Sequence, residues 1–205
     1  MMFVRKEQKL VQINRKPRIR RLSEAMDTNV DTPLHTKGIV HKGNVLIVDD
    51  EIDIVKTLLA YLSKNGYMGI GYTAGKEALD GLKKYDFDLL VVDLVLPDMN
   101  GIDLLKAAFK MDPHLVGIII TGKGSVQSAV NAMKAGAFDY LLKPFQFRML
   151  SVILERAMHM RQLKISEKKY RLLVDELTNK MKEFQTAGYM LATKENGFFF
   201  NGIDQ

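Results

Sequence analysis

The chain has 205 residues, no cysteine and no tryptophan, 26% charged residues and a formal net charge of +6. That composition excludes collagen-like and wholly disordered chains, and the missing cysteine excludes disulfides, thiolate metal sites and a cysteine nucleophile. The charge is local: residues 1–44 hold ten basic and four acidic residues, and the remainder is neutral.

Residues 1–43 carry no sustained period and contain Pro17 and Pro33, so they are expected to be a disordered basic arm with at most a helical turn near 19–26. Arg15, Lys16, Arg18, Arg20 and Arg21 concentrate the charge there, and nucleic acid is not indicated beyond this arm. No apolar run approaches the ~20 residues of a membrane span. The N-terminus has no apolar signal core, and the protein is expected to be cytoplasmic.

From Asn44 the texture changes. Val45–Val48 is a continuous β-branched and aliphatic run, the signature of a strand buried on both faces. Apolar residues at helical spacing follow over Ile52–Lys64, stopped by Asn65-Gly66. The cycle repeats with a strand over Tyr67–Tyr72, a helix over Gly75–Lys84, a strand over Leu89–Val92 and a helix ending near Lys110. A strand over Leu115–Ile120 leads to a helix capped by Ser125 and closed by Gly136. A fifth strand, Phe138–Leu142, precedes Lys143-Pro144, an expected cis bond, and a long helix from about Gln146. Five strands alternating with five helices predict an α/β fold: a doubly wound, five-stranded parallel sheet with an extended C-terminal helix.

Ligands of an open parallel sheet bind beyond the carboxyl ends of its strands. There the sequence sets Asp49, Asp50, Asp93, Thr121 and Lys143. Like charges at about 4 Å repel by roughly 4 kcal/mol at an effective dielectric of 20. Three carboxylates in one cleft therefore ask for a cation, and oxygen ligands with few carboxylates suit Mg²⁺. Either Asp49 or Asp50 could instead cap the helix that follows. Dinucleotide binding is disfavoured, because Asp49-Asp50-Glu51 stands where a glycine-rich loop would follow the first strand.

The runs Val45–Glu51, Leu90–Gly101 (LVVDLVLPDMNG), Ile120-Thr-Gly and Tyr140–Phe145 (YLLKPF) resemble the receiver domain of bacterial two-component response regulators, a flavodoxin-like fold. The stretch Thr121–Tyr140 is most similar to receivers of nitrogen-regulator-type transcriptional activators. The resemblance implies a switch that accepts a phosphoryl group from a histidine kinase or phosphotransfer protein. It implies Asp93 as phosphoacceptor, with Asp49, Asp50, Asp93 and the backbone carbonyl of Val95 holding Mg²⁺. It implies Thr121 and Lys143 as the groups that bond the phosphoryl oxygens, and Tyr140 as the aromatic switch. Output is then expected on the face of the fourth helix, fifth strand and fifth helix. Val95 is apolar where many receivers are polar, which predicts poor positioning of a hydrolytic water and a long-lived phosphoryl group. A haloacid-dehalogenase-like phosphohydrolase is a competing reading, disfavoured because Val95 stands where that family needs its second acid. A receiver-fold dimerisation scaffold is a third.

The receiver is expected to span 44–162. Beyond it, 163–205 is expected to be a helical, coiled-coil extension with a short tail, pairing in parallel with its copy through Tyr170, Val174, Leu177, Met181 and Phe184, with a break at Lys164 and Glu167. The run 188–201 reads as a hairpin turning at Asn196-Gly197.

Overall fold

The computed structural model describes residues 11–13 and 41–196, with side chains over 41–185. In chain order the strands are β1 (Val11–Ile13), β2 (Gly43–Val48), β3 (Tyr67–Tyr72), β4 (Leu89–Asp93), β5 (Val116–Thr121) and β6 (Asp139–Leu142). The helices are α1 (Ile52–Lys64), α2 (Gly75–Lys84), α3 (Gly101–Met111), α4 (Val126–Lys134) and α5 (Phe147–Asn196). The sheet order is β1-β3-β2-β4-β5-β6, and β2 through β6 are mutually parallel. The expected doubly wound, five-stranded parallel sheet is present, with β2 and β4 flanking the point where the winding reverses.

Alternation along each strand builds two cores, because successive side chains leave opposite faces of a sheet. Val45 and Ile47 of β2, with Val91 and Ile118, pack with Val55, Leu58, Leu59 and Leu62 of α1 and Leu150, Ile153, Leu154 and Ala157 of α5. Leu46 and Val48, with Leu90, Val92 and Ile119, pack on the other face with Ala78 and Leu82 of α2, Leu104 and Ala108 of α3 and Ala132 of α4. Continuous apolar runs are therefore required, since both faces of each central strand are covered. Gly66 (φ 85) and Gly136 (φ 95) follow the ends of α1 and α4 in the left-handed conformation that terminates helices.

Two expectations need correction. The segment 1–43 is not wholly irregular: Val11–Ile13 forms β1, antiparallel to β3. Three residues carry no readable period, and they pair with the otherwise open edge of β3. The remainder of the arm, 1–10 and 14–40, lies outside the described residues, and so does the expected turn near 19–26. The second correction concerns 188–201. Residues 188–196 continue α5 instead of starting a hairpin. Met190, Leu191, Ala192, Lys194 and Glu195 are strong helix formers, and so short an apolar run fits either period. Residues 197–205 lie outside the described residues.

The chain divides into two units, 1–162 and 163–205. Among the described residues no helix is long and apolar enough to cross a membrane.

Candidate functional site

The strand ends bring five predicted residues to one edge of the sheet. Asp49 follows β2 and is 2% exposed, Asp93 closes β4 at 7%, and Thr121 closes β5 at 1%. Asp50 is exposed. Lys143, just past β6, is 12% exposed at its side chain, and its Nζ donates to Asp49 Oδ2 at 2.5 Å and to Asp93 Oδ2 at 2.7 Å. Glu51 lies at 3.8 Å from the same ammonium. Lys143-Pro144 is cis, as expected.

Asp49 and Asp93 are also held by the backbone that follows them. Asp49 Oδ1 accepts from the Glu51 N–H at 3.1 Å, and Asp93 Oδ1 accepts from the Val95 N–H at 3.0 Å. Such bonds to the residue two further on stabilise the turn that leaves a strand. The alternative role for Asp49 and Asp50 is not taken: the N-cap of α1 is Glu51, with no side-chain cap bond. Val95 is 44% exposed and forms an isolated antiparallel bridge with Asn100, whose Oδ1 caps α3. A Cβ at Gly101 would collide with the Asp93 carbonyl, so α3 starts directly behind the site.

Burial pushes the Asp49 carboxyl above the usual carboxylate range, and the bond from Lys143 offsets it only in part. For Lys143 burial opposes the charge, but hydrogen bonds to Asp49 and Asp93 outweigh it and hold the ammonium above its ordinary value. Both values are raised, which disfavours the charged form of Asp49 and favours that of Lys143; burial prevails at Asp49, the more deeply buried partner, 3% exposed at the side chain against 12%. Asp49, Asp50 and Asp93 each offer a carboxylate oxygen within 4.8 Å of the others. One ammonium against three carboxylates leaves the cleft negative. An all-oxygen donor set of that charge fits a hard divalent cation of the Mg²⁺ type.

Thr121 Oγ1 accepts from the Lys123 N–H at 3.1 Å, and the Lys143 N–H donates to the Thr121 carbonyl at 2.8 Å. Tyr140 is half-buried on β6 and bonds Ser128 Oγ at 2.8 Å. Ser128 Oγ donates its proton to the Ser125 carbonyl at 2.9 Å, so Tyr140 is the donor in that pair.

Comparison with known proteins decides the family. Residues 45–155 match the response regulator receiver domain. The chain belongs to the response regulator receiver family. Receiver domains of two-component systems are phosphoacceptor switches that pair with histidine kinases. It is 37% identical over 115 residues to the transcriptional regulatory protein ZraR of Escherichia coli K12, a match covering 56% of this chain and 26% of that protein. The chain thus spans about a quarter of that longer relative. It is 39% identical over 103 residues to the chemotaxis protein CheY of Thermotoga maritima, covering 50% of this chain and 86% of CheY. A CheY-like receiver structure from Methanospirillum hungatei superposes with a TM-score of 0.58 at 30% identity, covering 61% of this chain and 98% of that one.

Asp98 and Ser128 also serve the site's surroundings, with no signal readable in the sequence. Asp98 accepts from the N–H groups of Gly75 and Lys76, both at 2.8 Å, and so caps α2 from a loop more than twenty residues away. No local pattern signals such a cap. Ser125-x-x-Ser128 is a capping box, and Ser at its third position in place of Glu or Gln hid the box.

Proposed function

We propose that this receiver takes a phosphoryl group onto the Asp93 carboxylate, with Mg²⁺, from phosphohistidine of a sensor kinase or phosphotransfer protein. The observation that carries the reading is the Asp93 carboxylate at the open end of β4, 2.7 Å from the Lys143 ammonium and within 4.8 Å of two further carboxylates. Asp93 is the nucleophile: its oxygen bonds phosphorus as the donor nitrogen leaves with the bonding pair, giving an acyl phosphate. Lys143 offsets the charge of the transferred group, and positioning with charge neutralisation is most of what phosphoryl transfer asks of a protein. Asp49, Asp50, Asp93 and the Val95 carbonyl would hold Mg²⁺, which supplies the remaining positive charge. Because the donor is made from ATP, the site of action is the cytoplasm.

The phosphoryl group adds about −1.5 to −2 charges beside Thr121. Thr121 then bonds a phosphoryl oxygen, and Tyr140 turns into the space it leaves, a two-state coupling from site to surface. Val126, Val130 and Met133 of α4, with Leu142 of β6 and Met149 and Val152 of α5, are apolar and 41–83% exposed. They support an output face on α4, β6 and α5. The likeness to ZraR supports a role in transcriptional control through a partner or further domain.

The test is intact-mass spectrometry of the full chain with a phosphohistidine donor. One phosphate is expected on the wild type, none on Asp93→Asn, and none on the wild type in EDTA. An adduct that persists in Asp93→Asn would falsify the assignment.

A further inference from the structure

The residues of unit 163–205 offer a surface that the receiver chemistry does not use. Leu163, Tyr170, Val174, Leu177, Met181 and Phe184 lie on α5 and are 50–77% exposed. With Glu167 they recur at alternating steps of four and three residues, the a/d pattern of a coiled coil. The supposed break at Glu167 is therefore a seam position occupied by a charge and not an interruption of the register. Its carboxylate is bonded by Arg171 at 2.7 Å, one turn on.

We propose that Leu163–Phe184 is the seam of a parallel, in-register, two-stranded coiled coil whose second strand is another copy of this chain. The orientation follows from Glu167. In a parallel pair Glu167 occupies an a position opposite its own copy, and Arg171, at the flanking e position of each strand, supplies a cation to that layer. The layer then holds two carboxylates and two guanidinium groups and is neutral. In an antiparallel pair a and d positions face each other, so Glu167, still bonded to its own Arg171, is set against apolar Leu177 or Phe184 instead of a like polar layer. Polar a residues set register and strand number in this way at some cost in stability. The other six seam positions are apolar, which matches a self-complementary stripe of about 33 Å at 1.5 Å per residue. Leu173 flanks the stripe at a g position and widens it.

The proposal goes beyond the phosphoacceptor reading, and the absence of cysteine from the chain makes it testable with single-cysteine variants of the full protein. Leu177→Cys sits at a d position, Asn179→Cys on the outer side of the same turn. Oxidation with diamide is expected to convert most of Leu177→Cys into a disulfide-linked dimer and to leave Asn179→Cys near background. Sedimentation equilibrium of the unmodified chain is expected to give twice its 23.3 kDa mass, and Leu177→Asp to return the monomer. Mixed dimers of Glu167→Cys with Leu177→Cys exceeding the Leu177 homodimer would overturn the parallel arrangement. A monomeric wild type, a higher oligomer, or a dimer that survives Leu177→Asp would overturn the seam. Phosphate uptake at Asp93 is measured on the same samples, so that failure of the phosphoacceptor reading and failure of the seam are read separately.

Discussion

Asp98 shows how a single side chain joins two loops at the working edge of the sheet. Its two oxygens take the first free N–H groups of α2, and although burial opposes its charge, those bonds hold the carboxyl below the usual range. A group with a depressed folded value stabilises above its unfolded pKa of about 3.9 and loses that contribution as pH falls through the folded value. Asp98→Asn is therefore expected to cost about 0.5–2 kcal/mol at pH 7, the range of a lost helix cap. The difference from wild type should shrink below about pH 4, as read by urea unfolding at a series of pH values. Val95 supports a second prediction. Its apolar, half-exposed side chain beside Asp93 offers no group to orient water, so Val95→Asn should shorten the phosphoryl half-life severalfold, followed by loss of the mass adduct over time. Asp49, Asp93, Thr121 and Lys143 were legible in the sequence because each ends or follows a continuous apolar run, and parallel strands carry their ends to one edge. Asp98 was not, because the groups it caps are remote in sequence and an aspartate in a Pro-Asp turn looks like turn chemistry alone.

Among the helices, α4 is held least by packing. Ala132 is its one buried residue, while Val126 is 83% exposed. The capping box at Ser125 and Ser128 and the bond from Tyr140 consequently matter more here than caps do on α1 or α3, whose buried faces are broad. Ser128→Ala removes the reciprocal half of the box and the acceptor for Tyr140 together. We expect a loss of about 1 kcal/mol in global stability by urea unfolding, with a larger fall in amide protection confined to α4. Helix α3 is constrained differently: Gly101→Ala drives a methyl group into the Asp93 carbonyl, and about 1–3 kcal/mol of destabilisation is expected from that overpacking. The boundaries of α1, α2 and β3 were legible to the residue because glycine and asparagine punctuate strong periodic runs. Strand β1 was not, since its existence depends on an open edge elsewhere in the fold. The end of α5 was misread because alternation over so few residues does not distinguish a strand from one more helical turn.

At the scale of the molecule, the end of the sheet remote from Asp93 carries its own charged cluster. Arg161 of α5, 12% exposed, reaches Asp112 Oδ2 at 2.9 Å and Asp88 Oδ1 at 3.5 Å, while Asp88 also accepts from the Asn44 N–H at 2.8 Å. Neither Arg161 Nε nor Nη1 makes an aligned hydrogen bond, so the attraction is coulombic. Arg161→Met is expected to cost about 1–2 kcal/mol, less than the ~3–5 of a fully buried pair because both aspartates keep some solvent. Urea unfolding measures it, and high salt should reduce the gap only slightly. Arg161 also marks where α5 changes character: Leu150, Ile153, Leu154 and Ala157 are buried, whereas the described side chains from Leu163 to Gln185 are exposed except for half-buried Lys164. In heavy water one continuous helix should accordingly keep two clocks. Amides near Leu154 and Ala157 wait for the whole receiver to open before they exchange, while those past Leu163 exchange through brief local fraying. The first rate is indifferent to protein concentration, and the second slows as concentration rises, because only the second is governed by how often two chains meet.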